Sequence, residues 1–171
     1  MRRVLKEEKI KSKLREQQKK GDSMKLPYGI TGFYNAKEVP PPSVEEKRFK
    51  DICYLVLPHH NGTVVSFHTQ LETTNFYQVQ VKVFNRLIYI LLNAHYPIIA
   101  FAGEVKGSYI LFTDESILSQ GFSPYYTVYS KEELSKPFSL NTEHSLNDAE
   151  LQQVAYWKLE KIGDLLFNFW D

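Results

Sequence analysis

Between Phe76 and Phe84 the chain alternates. Tyr77, Val79, Val81 and Val83 fall on one face of an extended segment, and Gln78, Gln80 and Lys82 fall on the other. A period of two places apolar and polar residues on opposite faces of a β-strand, and this pattern marks an antiparallel strand with one face toward water. Arg86–Ala94 and Ile98–Ala102 follow it and are apolar on both faces, as central strands are. Thr63–His68, starting just after the Asn61-Gly62 turn signal, and Tyr109–Thr113 extend the set, and Tyr125–Tyr129 adds one more short strand. Over residues 63–113 the connections are short and no long helix intervenes, so consecutive strands there are expected to pair antiparallel. Gly103 and Gly107 are expected to flank the turn joining the last two strands of the 63–113 sheet.

Helices are expected at the two ends of this β-rich centre, which gives an α+β fold. Ser43-x-x-Glu46 reads as a capping box, and Phe49, Ile52, Cys53, Val56 and Leu57 recur on one helical face. Pro40–Pro42 before it is a stiff spacer. A helical turn is expected at Asp114–Ser119. Ser130-x-x-Glu133 and Asn147-x-x-Glu150 repeat the capping logic, the second opening a helix over Asp148–Tyr156. Ile162, Leu165, Leu166 and Phe169 describe a last helix over 161–170. Leu26–Asn35, with two glycines, reads as an irregular entry segment.

Charge divides the chain. Residues 1–23 hold nine Lys/Arg against four Asp/Glu, a balance of +5, whereas residues 24–171 hold twelve against sixteen, a balance of −4. The first stretch reads as a basic, partly helical extension, and the second as a single domain. Either Met1 or Met24 can be the natural start. The extension has no aromatic residue for stacking, so nucleic acid is expected at most weakly there. It also has no apolar centre of the kind a secretory signal needs. The most apolar stretch, Leu87–Ala102, is broken by Asn93, His95 and Pro97 and is too short to span a bilayer.

Chemistry-bearing motifs are sparse. A single cysteine excludes a disulfide framework and any multi-cysteine metal site within one chain. Cys53 with His95 is the one thiol–imidazole pair available to a hydrolase, but Cys53 lies on the apolar face of its helix, where a thiolate is disfavoured. His59, His60, His68 and His95 lack metal-ligand spacing. No nucleotide-binding glycine loop and no nucleophile-elbow motif is present. The expectation is a non-enzymatic chain with no cofactor. The exposed acids Asp114, Glu115, Glu132 and Glu133, with Tyr125 and Tyr126 as aromatic anchors, are the candidate contacts for a protein partner.

Four segments carry a resemblance: LPYGITGFYN at 26–35, LETTNFY at 71–77, NAHYPIIAFA at 93–102 and LNDAELQQVAYWKLEKIGDLLFNFWD at 146–171. Together they resemble small proteins of Gram-positive bacteria that accompany polymorphic toxins. The final Tyr-Trp-Lys…Gly-Asp…Phe-Asn-x-Trp-Asp is similar to their shared C-terminus, with Leu159 standing where a proline usually follows the Lys. The resemblance covers residues 24–171. It implies a cytoplasmic immunity protein that binds a toxin of the same cell, and an acidic domain would complement a basic toxin. It brings no catalytic residue set. A hydrolase using Cys53 or the histidines, and a basic-tailed nucleic-acid adaptor, are the alternatives.

Overall fold

A computed structural model describes residues 25–170. The basic extension over 1–23 and the Met24 start lie outside the described residues. The described chain is an α+β domain built on an antiparallel-dominated sheet of six strands. In chain order the elements are α1 (Glu46–Val56) with a 3₁₀ turn (Leu57–His60), β1 (Gly62–His68), β2 (Phe76–Val83), β3 (Arg86–Asn93), β4 (Ile98–Lys106) and β5 (Tyr109–Thr113). They are followed by α2 (Ser116–Phe122), β6 (Thr127–Val128), α3 (Lys131–Ser135), α4 (Asp148–Trp157) and α5 (Ile162–Leu166).

Strands β1 to β5 lie side by side in sequence order, each antiparallel to the next. The alternation in β2 sets the register. Tyr77, Val79, Val81 and Val83 face α1 and α2 in one core cluster, together with Ile88, Ile90, Leu92, Ile99 and Phe101. The opposite face carries Phe76, Leu91, Ala100 and Ala102, which pack against Leu26, Ile30, Leu134, Val154 and α5. One sheet therefore supports two cores. Each large side chain such as Phe49, Phe101 or Phe122, fully withdrawn from water, contributes about 1.5–3 kcal/mol by burial.

Strand β6, within the short strand expected at Tyr125–Tyr129, runs parallel to β4, with Ile98 opposite Thr127. Helix α2 separates β5 from β6 and carries the chain back to the start of β4, whereas a tight hairpin would have placed the next strand against β5. Gly103 falls elsewhere than expected. It lies inside β4, where the register to β5 slips between Ala102 and Glu104, so it forms a bulge; the turn contains Gly107, at φ +52°.

Two helix ends differ from the sequence reading for identifiable reasons. Ser43 does not cap α1: the helix starts at Glu46 with Glu45 as N-cap and no side-chain cap. The Val44 N–H instead donates to Ala94 O at 2.9 Å, tying the approach segment to the β3–β4 turn before helical geometry begins. The last helix ends at Leu166 instead of continuing to 170. Its free carbonyls are taken by the sheet, with Asn75 Nδ2 donating to Leu165 O (2.8 Å) and Asn93 Nδ2 to Leu166 O (2.8 Å). The chain then runs on as an extended segment, with Asn168 N–H donating to Asn75 Oδ1 and Thr74 bridging Phe169 antiparallel. By contrast the capping boxes at Ser130–Glu133 and Asn147–Glu150 form in full.

Candidate functional site: an aromatic cleft held by buried polar groups

The entry segment is irregular because its backbone is bound by a side chain. Glu150, fully buried in α4, accepts from Gly29 N–H (2.9 Å), Thr31 N–H (3.0 Å), the Thr31 hydroxyl (2.8 Å) and Asn147 N–H (3.0 Å). Asn147 completes the clamp by donating from Nδ2 to Phe33 O at 2.8 Å. The segment takes this shape through Gly29 at φ +78° and Gly32 at φ +88°, a region that side chains disfavour. A Cβ on Gly32 would stand 2.7 Å from His95 Nε2, so the glycine also admits the imidazole. On the sheet side, Asn75 and Asn93 both donate to Ile30 O, at 3.2 and 3.0 Å. Tyr96 donates its hydroxyl to Tyr28 O.

This clamp holds one wall of a cleft of about 440 Å³. Phe33 meets Trp170 edge to face, with ring centroids 4.5 Å apart. Trp157 stands opposite, its Nε1–H donating to Gln153 Oε1 at 3.0 Å. Leu71 and Glu72 form the rim, and Trp170 N–H is fixed to Thr73 O at 2.7 Å. His95 closes the remaining side. Its Nδ1 lies 2.8 Å from Pro42 O. A carbonyl only accepts, so Nδ1 carries the proton and neutral His95 presents Nε2 as an acceptor. Burial holds the imidazole below its ordinary value, while Pro42 and the Glu150 charge oppose that shift.

All ten lining residues come from the four segments at 26–35, 71–77, 93–102 and 146–171. The capping motif at 147–150 identified Glu150 as a helix residue, but its other bonds to Gly29 and Thr31 are more than a hundred positions away and leave no local signal. Trp157 and Trp170 stand in the C-terminal motif of the resemblance and Glu72 in the segment at 71–77, but no local pattern marked them as walls of a common cleft. Leu159, at the position where a proline usually stands in the resembling proteins, donates its N–H to Val154 O at 3.1 Å and closes the end of α4 after left-handed Lys158.

Apart from His95, the residues singled out in the sequence lie elsewhere. Cys53 is fully buried on the core face of α1, and burial pushes its thiol up to about 12. It is a protonated packing group at neutral pH. Its supposed partner His95 is bonded to Pro42 O instead. His59 and His60 line a shallow groove with Leu55 and Tyr125, and His68 ends β1. Among the described residues no group of three or more His, Cys, Asp or Glu is placed to hold a metal. Asp114 accepts from Lys131 N–H (2.9 Å), Glu115 forms a two-pronged bond to Arg86 (3.2 and 3.1 Å), and Glu133 closes its capping box. Glu132 is exposed, as is Tyr125. Tyr126 is not a surface anchor: it is 8% exposed and packs edge-on against Phe49, with its phenol pushed up to about 12 by burial. Among the described residues no helix is long and apolar enough to cross a membrane. Compared with known proteins, the chain matches no family model, no curated protein and no solved structure.

Proposed function

We propose that this chain is a non-enzymatic protein-binding domain, an immunity-type protein of the bacterial cytoplasm that neutralises a toxin made by the same cell. One observation carries the reading: the four segments that resemble toxin-accompanying proteins converge on one aromatic cleft and supply every residue lining it. Aromatic side chains with a polar handle are enriched where proteins meet. Exposed Tyr156 meets Trp157 edge to face, with ring centroids 5.2 Å apart, which extends the aromatic surface beside the cleft. The buried polar groups nearby are engaged in holding loops, so the region offers a preformed surface, which lowers the ordering cost of association. The contact surface proposed here is therefore the cleft. Three of the four acids singled out in the sequence, Asp114, Glu115 and Glu133, are committed to bonds within the domain.

The test is co-expression with the toxin candidate encoded beside this gene. Survival with the wild-type chain, and loss of protection with Tyr156→Ala and Trp157→Ala in stable, folded form, supports the reading. Equal killing with and without abundant folded protein overturns it for that pair.

A further inference from the structure

The cleft carries one carboxylate, that of Glu72, and no opposing cation. No lysine or arginine lines it. Trp157 Nε1–H is already bonded to Gln153, and the Thr74 hydroxyl is directed to the Phe76 carbonyl at 3.1 Å. The Thr31 hydroxyl is bonded to Glu150. Among the lining side chains the Gln153 amide and the Trp170 indole N–H remain as donors, and the Glu72 carboxylate, which makes no hydrogen bond or ion pair among the described residues, and His95 Nε2 remain as acceptors. Three aromatic rings line the same cleft, two of which meet at 82° and so present non-parallel walls. Aromatic faces attract cations through the ring quadrupole, and the 24–171 domain is itself negative.

We propose that the cleft is a receptor for the guanidinium group of an arginine side chain carried by a protein partner. A guanidinium is planar, stacks on aromatic rings, is weakly hydrated and carries five N–H donors in a fixed fork, so it can pair with the Glu72 carboxylate while lying against an indole. A lysine ammonium offers three donors at a single strongly hydrated point and has no planar face to lie on a ring. The inference rests on the partner-binding reading in supposing that the arginine comes from a protein. The chemistry of the cleft is tested without that partner.

The chain has two tryptophans, Trp157 and Trp170, and both line the cleft, so its two indole N–H resonances report on this site alone. The full chain is titrated with Nα-acetylarginine amide, its neutral citrulline analogue and Nα-acetyllysine amide, and followed by heteronuclear NMR. The expected result is saturable movement of both indole signals with the arginine derivative, and binding about tenfold weaker with citrulline. Lysine should fall between the two. Glu72 is exposed, so Glu72→Gln keeps the fold and should weaken arginine binding by about tenfold. Trp157→Phe, which retains a ring, should weaken it less than Trp157→Ala. Absence of saturable shifts, an equal response to citrulline, or unchanged affinity in Glu72→Gln overturns the proposal. If the toxin is neutralised as before by Glu72→Gln and Trp157→Ala, the arginine receptor is refuted and the immunity reading stands. If arginine binds as described and no toxin is neutralised, the receptor stands and the immunity reading falls.

Discussion

Replacing Glu150 by Ala removes one side chain and leaves several partners without an acceptor. The carboxylate accepts from three backbone N–H groups, those of Gly29, Thr31 and Asn147, and from the Thr31 hydroxyl, at 2.8–3.0 Å. The hydroxyl can rotate toward another acceptor, but the backbone donors cannot. A buried donor left without a partner costs about 1–3 kcal/mol, so three of them bracket a loss of about 3–9 kcal/mol. Water entering the vacated space recovers part of this, which places the expected loss at about 3–5 kcal/mol. A domain of this kind holds a total of about 5–15 kcal/mol, so Glu150→Ala should stand near the edge of folding. Glu150→Gln is isosteric but turns an NH₂ toward two of the donors, and about 2–4 kcal/mol is expected. Urea unfolding followed by tryptophan emission measures both, read as a change of midpoint at constant slope. Exposed Glu143, whose side chain makes no hydrogen bond among the described residues, is the control, and Glu143→Gln should stay within about 0.5 kcal/mol of wild type. If both Glu150 variants fall within about 1 kcal/mol of wild type, the clamp is not what holds the entry segment.

Gly29→Ala combines a left-handed φ of +78° with a Cβ that would meet Pro41 Cβ at 2.5 Å. It should cost about 2 kcal/mol or more by thermal unfolding, and a cost near zero would show that the loop yields. Phe84 occupies the left-handed region at φ 54° in the β2–β3 turn, 67% exposed, so Phe84→Asn should stabilise the fold by about 0.5–1 kcal/mol, and destabilisation would assign the ring an unrecognised contact. Moving the Cys53 thiol from 9.0 to about 12 leaves about a thousandfold less thiolate. Iodoacetamide should therefore label it only as the chain unfolds, and prompt labelling of the native protein would refute its burial. His95 is held below its ordinary value of 6.5 by burial. Above about 6.5 it is neutral in both states and its contribution is complete; as pH falls through 6.5 the unfolded chain takes up a proton that the folded chain refuses, and stability declines until the folded value is passed. His95→Asn should flatten this acid-side decline in melting temperature, and an unchanged slope would remove His95 as its source.

The sheet was legible because its information is local. A period of two in β2 and apolar runs in β3 and β4 specify strand, face and neighbour without reference to distant residues. The two internal capping boxes were legible for the same reason: donor and acceptor sit three positions apart. What the sequence hid was non-local. Ser43-x-x-Glu46 has the residues of a cap, yet the N-cap is Glu45, and the approach segment is bonded to the sheet through Val44 N–H and Ala94 O. The apolar period from Ile162 to Phe169 is a helical signal, yet Asn75 and Asn93 take the carbonyls at 165 and 166 and turn the chain into an extended segment. Those asparagines lie about ninety and seventy positions upstream, and one of them merely interrupts an apolar run. Tyr125 and Tyr126 show the same limit, since adjacent residues of one type went to opposite environments because only Tyr126 faces Phe49.

The hidden contacts have a common location. Glu150, Asn147, Asn75 and Asn93 bring the entry segment, the loop before β2, the end of β3 and the C-terminus to one place. Buried polar groups of this kind are costly unless every one is satisfied, and among the described residues no buried side-chain nitrogen or oxygen lacks a partner. An apolar core could join the same segments with comparable stability but would specify their relative positions less sharply. Directional bonds from Asn75 and Asn93 to the same Ile30 carbonyl fix the loop against the sheet, and the Glu150 bonds fix it against α4. Phe33, His95 and Trp170 are thereby set on frames that are each bonded to the others, so the cleft keeps its shape without an occupant. A partner meeting it would gain the contact energy of the rings and the carboxylate with little further ordering of this chain. The polar network and the aromatic cleft are thus two parts of one arrangement, the first setting where the second stands.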